Sequence, residues 1–311
     1  MLLDKALSCW GLGPNTKVTL LAERENLVYR LESEGLAPKV LRVHRQNFRS
    51  DKEVASELQW MAHLSQKGLT VPVPLPSEDG ALFRELDGYQ VNILSWLNGT
   101  ALGETSQPLK IKDRVGTFRK IGETMARLHQ ISDDWQLPEN FNRQHWNHDG
   151  LLGEQALWGR FWENPQLSSH QRDMISEARS KASKELVYKS ETLDYGLIHA
   201  DMVRENILLS EGSIQLLDFD DGGFGFRLFD VATALFKNRS EPDYPELEQA
   251  LIAGYHSVRP LDMQELGLFT LLRSFTYVGW IISRMDENGS HQRAERFIET
   301  ASELAEEYLA S

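Results

Sequence analysis

The whole chain holds a single cysteine, Cys9. No intramolecular disulfide can form and no cysteine-built zinc site can be assembled, so a reducing cytoplasm is the compartment this composition suits. Basic residues are also scarce, with 33 Lys and Arg against 46 Asp and Glu and a formal net charge of -13. Nonspecific affinity for DNA or RNA rests on clustered cations, and nucleic acid is therefore not an expected partner. Long apolar runs are missing too. The N-terminal stretch MLLDKALSCWG is interrupted by Asp4 and Lys5, which does not make a secretory signal. The most apolar later segment, residues 268–282, is short and contains Arg273 and Ser274, which suits a buried helix better than a bilayer span. No membrane anchor is expected.

With 311 residues and 41% hydrophobic content, the chain has material for two lobes. Four β-branched or apolar runs in the first hundred residues read as strands: 18–21, 27–31, 39–44 and 89–94. Between the third and fourth, Ser50 and Glu53 form an S-x-x-E capping box that opens a helix to about Gln66, stopped by Gly68. Val71-Pro72-Val73-Pro74 and Pro76 force an extended connection. After Asn98-Gly99-Thr100 the period changes: Ile111, Val115, Phe118, Ile121, Met125 and Leu128 recur at helical spacing. The expected organisation is α+β, a small sheet-rich lobe (residues 1–98) joined near Leu97 to Gly99 to a larger, mainly helical lobe (residues 99–311). A hairpin interrupts the second part, with residues 206–209 and 213–217 flanking the turn Ser210-Glu211-Gly212.

The informative stretch is LIHADMVRENILLSEGSIQLLDFDDGGFG, residues 197–225. His199, Asp201 and Asn206 stand in the spacing H-x-D-x-x-x-x-N, and Asp218 lies at the far end of the hairpin. Phosphoryl transfer needs a carboxylate that orients the attacking hydroxyl and accepts its proton, and oxygen ligands for magnesium on the phosphates. A hairpin from Asn206 to Asp218 returns those two oxygens to one end of a two-stranded ladder, with Asp201 on the loop just before it. Taken singly, Asp201 reads first as a helix or turn cap, and Asn206 and Asp218 as ordinary hairpin-end polar residues. Asp220 shares the side of Asp218 on an extended backbone and is either a second metal ligand or part of a solvated acidic turn.

This segment resembles the catalytic and metal-binding loops of the aminoglycoside phosphotransferase, choline kinase and type II homoserine kinase superfamily, which shares the bilobal protein-kinase fold. The resemblance implies Asp201 as catalytic base, His199 as support of the catalytic loop, and Asn206 and Asp218 as magnesium ligands. It also implies ATP as the donor, with GTP left open. Asp230, which otherwise reads as a helix N-terminal residue, would tie down the catalytic loop backbone.

On the nucleotide side, Arg42 lies on one strand face with Val40 and His44, while Glu57 lies on the apolar stripe of the following helix with Val54, Leu58 and Met61. A glutamate so placed needs a cation, and Arg42 is the best candidate; a solvated pair or a pairing centred on Glu53 is the alternative. The resemblance makes Arg42 and Glu57 the pair that positions the phosphates. Protein kinases cover the phosphates with G-x-G-x-x-G, yet residues 20–30 here read LLAERENLVYR, with no glycine. Phosphate contacts would then come from backbone groups or from Asn26, which reads equally as a turn residue. The hinge is expected at Ser95-Trp96-Leu97, whose backbone would meet the adenine edge.

The acceptor side is less legible. Trp146, Trp158, Phe161 and Trp162 read as core before ligand cage. Arg273, set within an apolar helix, must meet an anion, either a protein carboxylate or that of a substrate. The acidic residues Asp201, Asp220 and Asp221 would attract an ammonium group. The expected enzyme is thus an ATP- and magnesium-dependent phosphotransferase acting on a small amine-bearing hydroxyl compound, a homoserine-like hydroxy-amino acid or an amino alcohol, with Asp221 and Arg273 as candidate acceptor residues. A protein serine/threonine kinase would use the same machinery, but no A-P-E motif follows Asp218. A noncatalytic pseudokinase would have lost the base or a metal ligand, and Asp201, Asn206 and Asp218 are all present.

Overall fold

The computed structural model describes residues 2–23, 26–105 and 107–311, and divides the chain into two compact units. The first unit comprises residues 1–102, 134–143 and 206–220; the second comprises 103–133, 144–205 and 221–311. The chain therefore passes between units inside the H-x-D-x-x-x-x-N segment and again between Asp220 and Asp221.

In the first unit, helix α1 (Leu2–Cys9) precedes an antiparallel sheet with the order β1 (Lys17–Glu23), β2 (Leu27–Glu32), β3 (Lys39–Val43), β6 (Tyr89–Ser95), β4 (Pro74–Leu75). Strand β5 (Arg84–Leu86) also pairs with β6. Alternation sorts the faces as expected. Leu41 and Val43 join Leu31, Val91 and Ile93 in a core capped by Ala6 and Leu7 of α1, while Arg42 pairs in register with Asn92 on the other face. The tip of the first hairpin, Arg24-Glu25 within the glycine-free stretch, lies outside the described residues.

Helix α2 (Asp51–Gln66) begins at the expected box: Ser50 Oγ accepts from Glu53 N, and the Glu53 carboxylate accepts from Ser50 N at 2.9 Å. It ends before Gly68, whose φ of 87° no β-carbon-bearing residue adopts easily. Ser50→Ala removes one side of this reciprocal cap and is expected to cost about 1 kcal/mol. The check is a lower urea midpoint with an unchanged m-value.

The hairpin β10 (Ile207–Ser210) and β11 (Ser213–Leu216) belongs to this unit, where β7 (Thr100–Ala101) adds to its edge. Its turn is the two residues Glu211 and Gly212, with φ of 47° and 79°, the doubly left-handed geometry that matches strand twist.

The second unit is mainly helical. Helix α3 (Arg114–Asp133) crosses α7 (Tyr244–His256) at close range, because a β-carbon at Gly122 would lie 2.0 Å from Leu251 O and one at Gly254 1.9 Å from Arg119 O. Phe118, Ile121, Met125 and Leu128 are buried along α3, whereas Ile111 precedes the helix and Val115 is 50% exposed. The helical stripe is therefore one turn shorter than its periodicity suggests. Helix α8 (Leu266–Trp280) is apolar and buried over most of its length between α6 (Arg227–Phe236) and α9 (Ser290–Ala310). A small sheet orders β8 (His145–Trp146), β12 (Gly223–Phe226) and β9 (Tyr195–Ile198). Helices α4 (His148–Leu152) and α5 (Ser169–Lys189) complete the unit.

Candidate active site

The loop that follows β9 carries His199, Ala200 and Asp201. Ala200 has a φ of 64°, a left-handed conformation that costs an alanine of order 1 kcal/mol and persists only where surrounding bonds hold it. Asp230, buried in the first turn of α6, supplies those bonds. Its two carboxylate oxygens accept from His199 N at 2.8 Å and Ala200 N at 2.6 Å. His129 Nε2 lies 3.0 Å from the same carboxylate, and burial holds that imidazole well below the usual histidine pKa. His199 is itself fully buried, and its Nδ1 accepts from Asp201 N at 3.3 Å. The loop is thus clamped at consecutive backbone groups, and Asp201 projects from a rigid base.

The Asp201 carboxylate accepts from Arg273 Nη2 at 2.8 Å. Burial pushes this carboxyl above the ordinary aspartate range, and the Arg273 charge pulls against that rise. Arg273 is fully buried in α8, stacks 4.6 Å from the Trp158 ring, and shares Nη2 with the Tyr277 hydroxyl at 2.9 Å. Of the two anions an arginine in this apolar helix could meet, the structure supplies a protein carboxylate, and it is the candidate base itself. Asp221 lies in the same unit. Its backbone oxygen accepts from Gln144 and Trp146, and its carboxylate from Trp158 Nε1 at 3.3 Å. Trp146 and Phe161 are core, as their composition suggested, while Trp158 joins the polar residues.

Two arms of this unit hold the segment after Asp201. Buried Arg204 donates to Asn238 Oδ1, Gln107 O and Glu241, and Glu205 accepts from Thr105 N and Oγ1.

In the first unit, Leu217 N donates to Asn206 O at 2.8 Å, directly beyond the pairing of Ile207 with Leu216. The hairpin therefore brings Asn206 and Asp218 to one end of its ladder. Asp218 has a φ of 60°, a conformation aspartate tolerates better than most residues because its short side chain can bond locally. Asp220 is 5% exposed, so the solvated-turn alternative falls away. Its carboxylate lies 3.7 Å from Arg49 Nε, and its backbone oxygen accepts from Arg49 and Arg143. Among the described residues no three Asp, Glu, His or Cys side chains are gathered for a metal. The oxygens of Asn206, Asp218 and Asp220 still fit magnesium, which takes one or two carboxylates and leaves its other positions to phosphate and water.

Arg42 Nη1 donates to Glu57 Oε1 at 2.7 Å, with both side chains buried. Arg42 and Arg143 hold the Glu57 carboxyl down to about 2 against burial, which works to raise it. Among the described residues, Arg42 Nε and Nη2 are buried without a hydrogen-bond partner, an orphaned fork of donors suited to phosphate oxygens. His44 bonds Asn92 on the same face at 2.7 Å. Asn26 Oδ1 accepts from Arg45 N at 3.3 Å. Ser95 closes β6, exchanging bonds with Val73, and Leu97 follows in the irregular stretch 96–99.

Arg49, Arg143, Arg204 and Lys237 escape a reading of the sequence. Arg49 and Arg143 sit in irregular segments and Arg204 in a single 3-10 turn, all too short for a period to mark them. Lys237 follows the apolar run of α6 and looks like a solvated helix-end lysine.

Solved structures share this architecture. A microcompartment-associated aminopropanol kinase is 29% identical with a TM-score of 0.86, over 99% of this chain and 97% of that one. An amicoumacin kinase solved with AMP-PNP and Ca2+ shares the fold at 22% identity and a TM-score of 0.78, over 97% and 92%. The protein is a kinase of the α+β, protein-kinase-like fold. Residues 17–268 match the APH phosphotransferase enzyme family, and the chain belongs to it as an ATP-dependent phosphotransferase. A homoserine kinase of Agrobacterium fabrum is 29% identical over 229 residues, 72% of this chain and 66% of that protein.

Proposed function

We propose that the enzyme transfers the γ-phosphoryl group of ATP to the hydroxyl of a small, amine-bearing metabolite, a homoserine-like hydroxy-amino acid or an amino alcohol, in the cytoplasm. The observation that carries this reading is the Asp201 carboxylate on a loop clamped by Asp230 and oriented by Arg273. Relatives and neighbours named as homoserine and aminopropanol kinases point to the same acceptor class.

The roles divide by unit. ATP supplies the phosphoryl group, and a divalent metal neutralises charge on its phosphate oxygens. Arg42, fixed by Glu57, would bind those oxygens, with Asn206, Asp218 and Asp220 as metal ligands. Asn26 would meet the phosphates, and Ser95 and Leu97 the adenine edge. Asp201 orients the acceptor hydroxyl and takes its proton as the oxygen attacks. His199 props the Asp201 backbone, and Asp221 would receive the acceptor's ammonium. Along the chain, residues 1–98 would serve the nucleotide and residues 99–311 would carry the acceptor site and the catalytic and metal loops, the metal hairpin of residues 206–220 lying within the first unit.

A panel of hydroxy-amino acids, amino alcohols and a generic protein substrate, each assayed for ADP release, tests this. Release with the small compounds alone is expected. Phosphate on the protein substrate would make the enzyme a protein kinase, and nucleotide binding without any release would make it a pseudokinase.

A further inference from the structure

We infer that Lys237 receives the carboxylate of the phosphate acceptor, which makes the acceptor a hydroxy-amino acid in preference to a simple amino alcohol. This deepens the acceptor reading above and rests on it. Lys237 closes the C-terminus of α6, and its Nζ sits 3.8 Å from the centroid of the Tyr277 ring, 4.7 Å from that of Phe297 and 5.9 Å from that of Phe236. Such an aromatic seat holds an ammonium by its π-faces but leaves its remaining donors open. Among the described residues Lys237 makes no ion pair.

The neighbouring carboxylates are engaged elsewhere. Asp201 is bonded to Arg273, and Glu205 accepts both the backbone and the hydroxyl of Thr105. Arg273 and Arg296 add positive charge around the ammonium, and burial with the Arg273 charge pushes it down to about 7. A half-buried cation in that position gains from any anion brought to it.

The arrangement also connects Lys237 to the transfer step. Its ring partner Tyr277 bonds Arg273 Nη2, and the same Nη2 bonds Asp201. Two side chains therefore separate the seat of the ammonium from the candidate base, a span suited to a short acceptor with a hydroxyl at one end and an anion at the other. Arg273 is the weaker anchor, because its Nη2 already serves Asp201 and Tyr277 and its face is stacked on Trp158. The phosphoryl group in transit is the other anion that could reach Lys237, and kinetics separate the two.

The test uses homoserine and 3-aminopropan-1-ol, which is homoserine without its carboxylate, on the wild-type enzyme and on Lys237→Met and Lys237→Arg. Methionine keeps the apolar stem over the rings and loses the charge. KM for homoserine is expected to rise about tenfold to a hundredfold in Lys237→Met, as for loss of a charged hydrogen bond. The arginine variant should recover part of it, and 3-aminopropan-1-ol should be unaffected. In the wild-type enzyme, homoserine with a nonhydrolysable nucleotide should raise the Lys237 titration midpoint, followed by NMR of 13C-labelled lysine, and 3-aminopropan-1-ol should not. An equal fall in kcat for both compounds would assign Lys237 to the phosphoryl group and overturn the inference, as would unchanged kinetics for both. ADP release with neither compound would instead overturn the acceptor reading, and this inference with it.

Discussion

Asp201→Asn is expected to cut kcat by about a hundredfold or more, with nucleotide affinity retained. The amide keeps the shape and one acceptor oxygen but cannot take a proton. Because the Asp230 clamp acts on backbone groups, the loop should hold its conformation in the variant. Calorimetric titration of nucleotide alongside single-turnover kinetics checks both halves; equal loss of nucleotide binding would make Asp201 a structural residue. The pH profile carries a second signature. Burial raises the Asp201 carboxyl, so the acid limb of kcat/KM should lie above the ordinary aspartate range, with activity lost as pH falls through it. Arg273 holds that carboxyl down, so Arg273→Met should move the limb to higher pH. A limb that stays in place would separate Arg273 from the ionisation of the base.

Glu57→Gln should destabilise the first unit by about 3–5 kcal/mol, the usual cost of removing one partner from a buried ion pair. Glu57 is fully buried, pairs with Arg42 at 2.7 Å, and has Arg143 at 3.9 Å. Two guanidinium groups would lose their counter-charge at once. Arg42→Met combined with Glu57→Gln should recover part of the loss in stability but none in nucleotide affinity, since the orphaned donors of Arg42 are then gone. The pH dependence has a definite sign. The Glu57 carboxyl lies at about 2 in the folded protein, below its unfolded value, so its contribution is complete above the ordinary glutamate range. It is lost as pH falls from there toward about 2. Urea midpoints between neutral and acidic pH, wild type against Glu57→Gln, should converge at the acidic end.

Much of the first unit is legible because its signals are local. Period-2 alternation places Leu41 and Val43 on the core face, and the Ser50 box sets the start of α2 to the residue. The hairpin between Asn206 and Asp218 is legible for the same reason, and its observed register, Ile207 against Leu216, brings those two residues to one end of the ladder. The faces of adjacent elements also make Arg42 the best candidate partner of Glu57, with a Glu53-centred pairing or a solvated pair as the alternative, and the structure forms the Arg42 pair.

What only the tertiary structure decides is which long-range partner each charge meets. A helical period says that Arg273 points into the protein, but Asp201 lies 72 positions earlier, and no local pattern joins them. Asp220 and Asp221 are neighbours in the chain, yet one is tied to Arg49 and Arg143 and the other to Gln144, Trp146 and Trp158. The acidic cluster read from their adjacency is therefore largely partnered. Lys237 shows the same limit from the other side. Sequence alone makes it an ordinary helix-end cation, and it becomes a seated ammonium beside the transfer loop only because α8 and α9 bring Tyr277 and Phe297 under it. Backbone propensity and amphipathic period are properties of a few consecutive residues, whereas the pairing of a buried charge depends on which distant surface packs against it.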